Sequence, residues 1–144
     1  MGAFSDTETG STWSWLPAAC AGALRGIEIF ERDGVLDNVL RLEEVAQRML
    51  GSLSGSFDVV GDVRIKGTYI AVEFVGDRVT KARVPEFQHA VEMECVRRGL
   101  VVTPHGASFR VLPSLTMPPE MFEVGMQIVV DSIAAVRATG MPVR

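Results

Sequence analysis

The sequence predicts an α+β fold in two layers, with helices packed on one face of a small, mainly antiparallel sheet. We expect one hydrophobic core, since 144 residues with 47% hydrophobic and 22% charged side chains suit a single domain. Apolar residues recur at helical spacing in some segments and alternate in others, which separates helices from strands. The predicted order is helix, helix, strand, strand, helix, strand, strand, helix.

The N-terminal residues predict a lead-in followed by a helix. Residues 1–16 are rich in Gly, Ser, Thr and Trp and have no apolar period, so we expect an extended segment before a domain at residues 17–144. Pro17 suits a first helical turn, and the helical spacing continues until Asp33 and Gly34 break it.

A second helix and two strands come next. The helix is predicted from about Val35 to the small residues at 51–56, which are typical of a turn. The two strands meet at a joint at 66–67, because apolar residues alternate with polar ones on either side of it. The apolar positions are Val59, Val63, Ile65, Ile70, Val72 and Phe74.

A third helix and two further strands follow. Pro85 begins the helix, and the Arg-Arg-Gly run at 97–99 supplies the basic last turn and the glycine that are typical of a helix C-terminus. Residues 100–103 and 108–112 predict short strands on either side of a turn at 104–106.

The last helix is predicted after Thr116, which we expect to be its N-cap. Pro118 and Pro119 are compatible with a first helical turn, because the N–H groups there have no intrahelical partner. One face of this helix carries the apolar residues Phe122, Met126, Val129, Ile133 and Val136.

Charge and hydropathy argue against two classes of partner. The chain has 14 Lys and Arg residues against 18 Asp and Glu residues, and no basic stripe that would attract nucleic acid. No apolar stretch approaches the roughly 18–20 residues of a membrane-spanning helix. Its start lacks the basic residues and apolar core of a secretory signal, so we expect a soluble, cytoplasmic protein that does not bind membranes.

Residues that bind metals or form disulfides are sparse. Cys20 and Cys95 lie among apolar neighbours on predicted helices, so we expect both to be buried, reduced thiols. His89 and His105 are far apart in the sequence and lack the spacing of metal ligands. No metal site is therefore predicted.

No catalytic residue is predicted within the chain. The sequence contains no phosphate-binding loop, no dinucleotide-binding glycine motif and no serine nucleophile elbow. Its neighbouring carboxylates, Glu43 with Glu44 and Glu92 with Glu94, are typical of solvated helix faces. We therefore expect an incomplete active site at most.

Three segments are unusual for a purely structural domain. They are GSTWSWLPAACA at 10–21, DVRIKG at 62–67, and RGLVVTPHG followed by FRVLPSLT within 98–116. In this order and spacing they resemble the C-terminal part of class III aminotransferases, the pyridoxal-phosphate enzymes related to ornithine, acetylornithine and 4-aminobutyrate aminotransferases. The resemblance covers nearly the whole chain.

The resemblance implies a cofactor and two binding roles. The fold would be the small domain of fold-type I aminotransferases, and the cofactor pyridoxal phosphate. Ser11 and Thr12 match a turn that binds the cofactor phosphate of the neighbouring subunit, which a hydroxyl and nearby backbone N–H groups suit. Arg110 matches an arginine that pairs with a substrate carboxylate through its planar fork. Without the family, Thr12 is an ordinary turn residue and Arg110 a surface residue of a strand.

The resemblance also implies that the catalytic lysine lies elsewhere. Lys66 and Lys81 are the only lysines of the sequence, and neither matches the context of the lysine that holds the cofactor. Lys66 and Arg64 instead match a turn that joins two strands, so we expect a structural role for them. The chain departs from the family at 14–16, where Ser-Trp-Leu makes the loop near the cofactor bulkier and less polar.

Three hypotheses for function follow. The first is the small domain of a class III aminotransferase, which moves an amino group between an amino acid or amine and a 2-oxo acid once a large domain is supplied in cis or in trans. The second is a stand-alone α+β binding or regulatory module. The third is a degenerate remnant that only associates. Because the surface that faces a large domain would be apolar, we also expect a homo-oligomer.

Overall fold

The computed structural model describes residues 16–106 and 108–142. The chain divides into two compact units, residues 1–35 and residues 36–144. Nearly all of the predicted lead-in lies outside the described residues, so the boundary between lead-in and domain stays a prediction.

The first unit contains helix α1 (Pro17–Arg32), and its predicted bounds are confirmed. Pro17 occupies the first turn, and Gly34 follows the helix with a φ of 59°, a left-handed conformation that glycine adopts at little cost. No residue of α1 is buried. Cys20 is therefore exposed, and the prediction of a buried thiol there was wrong, because its apolar neighbours on α1 are themselves exposed.

The rest of the described chain forms one antiparallel sheet with helices. Its helices are α2 (Val35–Leu50), α3 (Leu53–Ser56), α4 (Pro85–Arg97) and α5 (Pro119–Ala138), and its strands are β1 (Val60–Lys66), β2 (Tyr69–Phe74), β3 (Thr103–His105) and β4 (Ser108–Val111). The strand order is β1-β2-β4-β3, and each neighbouring pair is antiparallel. The predicted α+β class is confirmed. None of the helices within the described residues has the length and apolar character needed to cross a bilayer.

The hydrophobic core lies on one face of the sheet. Alternate residues of β2 and β4 point into it, as the period of two predicted, and Phe74 packs its ring against Phe87 at 5.6 Å and Phe109 at 5.5 Å between centroids. The helices close the core with Leu42, Ala46 and Leu50 of α2, Phe87, Val91 and Cys95 of α4, and Phe122, Met126, Val129, Ile133 and Val136 of α5. Cys95 is buried as predicted, and this burial raises the pKa of its thiol.

The joint between β1 and β2 is a tight turn at Gly67, as predicted. Lys66 pairs with Tyr69, so only two residues connect the strands, and Gly67 has a φ of 56°. Its N–H donates to Oε2 of Glu43 at 2.8 Å. A Cβ at this position would lie 2.9 Å from Cγ1 of Val39, so α2 packs directly on the turn. Glu43 is thus a partner of the turn, and its predicted role on a solvated helix face was wrong.

Residues 53–56, predicted as part of a turn, form the short helix α3 instead. Leu53 is buried in the core, which fixes this segment against the sheet. The guanidinium of Arg78 donates to the carbonyl groups of Ser54 and Phe57, which lie at the C-terminal end of α3. The small residues predicted a turn, but hydrogen bonds from the distant Arg78 stabilise a helix there.

The strand predicted at 100–103 begins later than expected. Leu100 donates its N–H to the carbonyl of Cys95 at 2.9 Å and so still belongs to the end of α4, where Gly99 has a φ of 90°. Pairing with β4 starts only at Thr103, and Pro104, predicted in a turn, lies within β3. A proline is tolerated there because β3 is the edge strand of the sheet.

The predicted N-cap of the last helix was also wrong. Pro118 occupies the N-cap position with extended backbone, and no side chain caps α5. The reason is steric, since Pro119 disfavours helical backbone at the residue before it. The hydroxyl of Thr116 instead lies 3.0 Å from that of Ser114.

The Gly67 turn should be more sensitive to an added methyl group than a glycine inside a helix. Gly67→Ala is expected to lower the free energy of unfolding by about 1–3 kcal/mol, since alanine resists a positive φ and meets Val39. Gly125 of α5 is the matched control, because a Cβ there would make an ordinary 3.6 Å contact with Leu100. Gly125→Ala should raise the stability by up to about 1 kcal/mol.

Urea unfolding followed by circular dichroism measures both changes. Equal effects of the two substitutions would contradict the assigned strain at the turn.

Candidate functional site

The face of the sheet opposite the core, called here the outer face, carries the polar residues of the strands. Strand register places Arg64 beside Ala71, Ala71 beside Arg110, and Arg110 beside Thr103. These four residues form one row across β1, β2, β4 and β3. Two arginines therefore lie on the outer face with one alanine between them.

Arg64 is neutralised within the chain. Its Nη1 donates to Oδ2 of Asp62 at 2.8 Å and to Oε2 of Glu73 at 2.7 Å. The hydrogen bond to Glu73, opposed by partial burial, raises the pKa of Arg64. Asp62 and Glu73 lie opposite each other in the strand pairing, so Arg64 also offsets their repulsion. Arg64 links β1 to β2, the structural role expected from the sequence.

Arg110 has a different environment. It is half-buried on β4, and no ion pair joins it to a carboxylate of residues 16–106 or 108–142. The central carbon of its guanidinium lies over the ring of Tyr69, 5.6 Å from the centroid. The donors of Arg110 are thus available to an anion from outside the described chain.

The other predicted binding residues, Ser11 and Thr12, lie outside the described residues. The same holds for Ser14 and Trp15 in the loop that departs from the family pattern. Their roles stay predictions.

His105, which neighbours this site, ends β3 and does not lie in the turn predicted for it. Its side chain is exposed, and its carbonyl accepts a hydrogen bond from Oγ of Ser108 at 3.0 Å. No group of three or more His, Cys, Asp or Glu residues within 16–106 and 108–142 is arranged to hold a metal ion.

A buried polar pair on α4 positions β4, and the sequence analysis missed it. Nε2 of Gln88 donates to Oε1 of Glu92 at 2.8 Å and to the carbonyl of Ser108 at 3.1 Å. Glu92 is buried, so its predicted place on a solvated helix face was wrong. Glu94 is also largely covered and pairs with Arg97 and Arg98. The available signal was the spacing of Gln88 and Glu92, which places them on one side of α4.

Neither lysine of the chain lies in an enclosed site. The side chain of Lys66 is 91% exposed, with its ammonium 4.0 Å from Oε1 of Glu43. Lys81 is exposed in the loop after β2, with a φ of 52°. The described residues therefore do not by themselves fit a cofactor that is held through a lysine.

An apolar groove of about 400 Å³ lies between the start of α5 and the segments that flank β3 and β4. It is lined in part by Val101, Leu112, Met121 and Val124, all of which are exposed. Val101 is 81% exposed, an unusual state for a valine beside a core. The groove thus exposes several apolar side chains to solvent.

Comparison with known proteins identifies the family. The sequence model of the family described as aminotransferase class-III matches residues 1–133 of the 144. The chain belongs to the class III aminotransferases. The resemblance drawn from the three motifs is confirmed, and this family depends on pyridoxal phosphate.

This class III aminotransferase chain is similar to proteins that are much longer. It is 32% identical to the 4-aminobutyrate aminotransferase of Mycobacterium tuberculosis (strain H37Rv) over 131 residues, which cover 87% of this chain and 28% of that protein. It is 33% identical to the leucine/methionine racemase of Thermococcus litoralis over 121 residues, which cover 83% of this chain and 27% of that protein. The chain thus spans a little over a quarter of the length of these two relatives.

A solved structure supports the same assignment. The fold matches an amine transaminase from an uncultivated Pseudomonas species, solved in its PLP-bound form, with a TM-score of 0.77 and 28% identity. The match covers 88% of this class III aminotransferase chain and 29% of that one.

The hydrogen bonds of Gln88 should contribute measurably to stability. Gln88→Ala is expected to lower the free energy of unfolding by about 1–3 kcal/mol, because the carbonyl of Ser108 and a carboxylate oxygen of Glu92 lose their donor in a buried site. Met93→Ala on the same helix is the control and should change it by no more than about 0.5 kcal/mol, since Met93 is exposed.

Denaturant unfolding of both variants tests this expectation. A Gln88→Ala variant as stable as Met93→Ala would show that the pair does not anchor β4.

Proposed function

We propose that this chain is the small-domain portion of a class III aminotransferase and contributes the carboxylate-binding arginine to an active site completed by a large domain. The reaction would move an amino group between an amino acid or amine and a 2-oxo acid. The observation that carries the proposal is Arg110, whose guanidinium has no carboxylate partner among the described residues while Arg64 beside it has two. Family membership supplies the context for that cation.

The chemistry of Arg110 suits the carboxylate of an amino acid or 2-oxo acid. A guanidinium presents parallel N–H donors that match the two oxygens of a carboxylate, a bidentate geometry that fixes orientation as well as binding. Gln88 supports this role, because it holds the carbonyl of Ser108, two residues before Arg110, against α4. A substrate bound here would be held by its carboxylate, which leaves its amino or oxo end for the cofactor.

The cofactor in this proposal is pyridoxal phosphate, which stabilises negative charge at the reacting carbon of the substrate. Ser11 and Thr12 would donate hydrogen bonds to its phosphate in a neighbouring subunit. The lysine that holds it would come from a large domain in cis or in trans, because Lys66 and Lys81 are exposed. The chain by itself would therefore lack catalytic residues.

The partner in this proposal is that large domain. Two observations support it: the chain spans about 28% of a related aminotransferase, and the groove exposes apolar side chains that a further segment would cover. We propose that the assembled protein is a homo-oligomer, since the cofactor phosphate would be shared between subunits.

A second candidate reaction is racemisation of an amino acid. It is favoured by the similarity to the leucine/methionine racemase, which is as strong as that to the aminotransferase. Arg110 would serve both reactions in the same way, by binding a carboxylate. Substrate assays of an assembled enzyme distinguish them, since racemisation needs no 2-oxo acid.

The isolated chain should not hold pyridoxal phosphate in a defined site. We expect the absorbance of the cofactor to stay unchanged on addition of the chain, because neither lysine is enclosed. Borohydride treatment followed by peptide mass mapping gives the second readout, and a double Lys66→Arg, Lys81→Arg variant, which has no lysine, measures the background from the N-terminal amine. A stable cofactor adduct at one lysine would contradict the proposal and favour a stand-alone binding module.

Arg110 should matter for the carboxylate substrate once the active site is complete. We would replace the region of the M. tuberculosis 4-aminobutyrate aminotransferase that matches this chain with the chain itself. Arg110→Ala is then expected to raise KM for the 2-oxo acid about tenfold or more, since a charge-assisted pair is lost. Thr12→Ala should weaken cofactor retention without that change in KM.

Arg41→Ala is the matched control, because this exposed arginine lies on α2, away from the row on the outer face. Its kinetics should equal those of the unsubstituted hybrid. Unchanged kinetics in Arg110→Ala and unchanged cofactor retention in Thr12→Ala would overturn the site assignment and leave a remnant that only associates.

A further inference from the structure

Tyr69 is the aromatic partner of Arg110 on the outer face. It begins β2, and its side chain is on the same face because Ala71, two residues later, lies directly beside Arg110. Tyr69 and Arg110 are therefore diagonal neighbours on adjacent strands, a spacing that long side chains bridge. The guanidinium carbon lies 5.6 Å from the ring centroid, within the range of an attractive cation–π contact.

This contact leaves the hydrogen-bond donors of Arg110 unoccupied. A cation–π contact attracts the charge of a guanidinium to the ring and requires no hydrogen-bond acceptor for its five N–H donors. Arg64 shows the opposite case, since Asp62 and Glu73 both accept from its Nη1. An acidic partner holds an arginine by using its donors, and an aromatic partner holds it without using them.

We infer that Tyr69 is the positioning residue for Arg110, holding the guanidinium over its ring while its N–H donors stay available to an incoming carboxylate. The inference rests on the proposed role of Arg110 in carboxylate binding. The inference adds that Tyr69 limits the rotamers of Arg110 in the free protein. Less conformational entropy of that side chain is then lost when a carboxylate binds.

The ring of Tyr69, and not its hydroxyl, performs this role. No hydrogen bond between described residues involves that hydroxyl, and Tyr69 is 52% exposed beside Arg110. Phenylalanine should therefore replace Tyr69 without loss, whereas leucine keeps apolar bulk but lacks the π face. This pair of substitutions separates stacking from side-chain size.

The side-chain NMR signal of Arg110 in the full 144-residue chain tests the contact itself. Its Nε–Hε signal is expected to show a ring-current shift and a rigid heteronuclear NOE in the unsubstituted chain and in Tyr69→Phe, and to lose both in Tyr69→Leu. Tyr69 is the only tyrosine of the sequence, so selective tyrosine labelling gives an unambiguous NOE from its ring to Arg110. Unchanged backbone amide spectra in both variants control for folding.

Titration with glutarate, a simple dicarboxylate, tests the consequence. The dissociation constant at the Arg110 signal should be the same for the unsubstituted chain and Tyr69→Phe, and about threefold higher for Tyr69→Leu, as an exposed cation–π contact predicts. Glutarate should also shift the ring signals of Tyr69 in the unsubstituted chain, and Arg110→Gln should abolish that shift.

The possible outcomes distinguish a failure of the role of Tyr69 from a failure of the proposed role of Arg110. Equal affinity in Tyr69→Leu and the unsubstituted chain would overturn the role of Tyr69 alone. Equal weakening in Tyr69→Phe and Tyr69→Leu would assign the effect to the hydroxyl and overturn the positioning by stacking. If glutarate does not bind the unsubstituted chain, the same comparison of Tyr69→Phe with Tyr69→Leu is read from KM for the 2-oxo acid in the hybrid enzyme. A KM there that Arg110→Ala leaves unchanged would overturn the carboxylate role of Arg110 and the positioning with it.

Discussion

Ala71 lies opposite Arg110 and Val72 opposite Phe109 in the pairing of β2 with β4, and the rest of the sheet depends on this register. Because successive side chains of a strand point to opposite faces, the pairing sends Val72 and Phe109 into the core and Arg110 to the outer face. A slip of one residue would bury a guanidinium and expose a phenyl ring. The same strand register therefore determines both which side chains enter the hydrophobic core and where Arg110 lies.

Three contacts reinforce that register from outside the two strands. Gln88 holds the start of β4 against α4, Glu43 binds the turn before β2, and the ring of Phe74 packs against Phe87. Each contact joins a helix to the sheet or to its turn. The helices therefore stabilise the core and also fix where the polar residues of the outer face lie.

The two arginines of the outer face illustrate how identical side chains acquire different roles. Arg64 has Asp62 two positions away on its own strand and Glu73 on β2, so its charge is compensated and its donors are in use. Arg110 meets an aromatic ring, which attracts the cation but leaves its donors available. Strand register places Ala71, which is 7% exposed, between the two arginines.

Much of the fold was predictable because it depends on local periodicity. The bounds of α1, α2 and α4 and the joint at Gly67 follow from spacing, prolines and glycines, whose effects act within a few residues. The predictions failed where a distant residue decides the outcome. Arg78 stabilises α3 across more than twenty residues, Glu43 of α2 binds the distant turn at Gly67, and Gln88 of α4 binds the carbonyl of Ser108 twenty residues later.

The candidate site, like the fold, could be predicted from the sequence only in part. By itself the sequence determined the family, through motifs in a recognisable order, and singled out Arg110 as a cation in a strand. Only the tertiary structure decided that Arg64 is paired, that Arg110 is not paired within the described residues, and that Tyr69 lies beneath its guanidinium. The reason is that charge compensation depends on neighbours across strands, and strand register brings Tyr69 to Arg110 although they are far apart in the sequence.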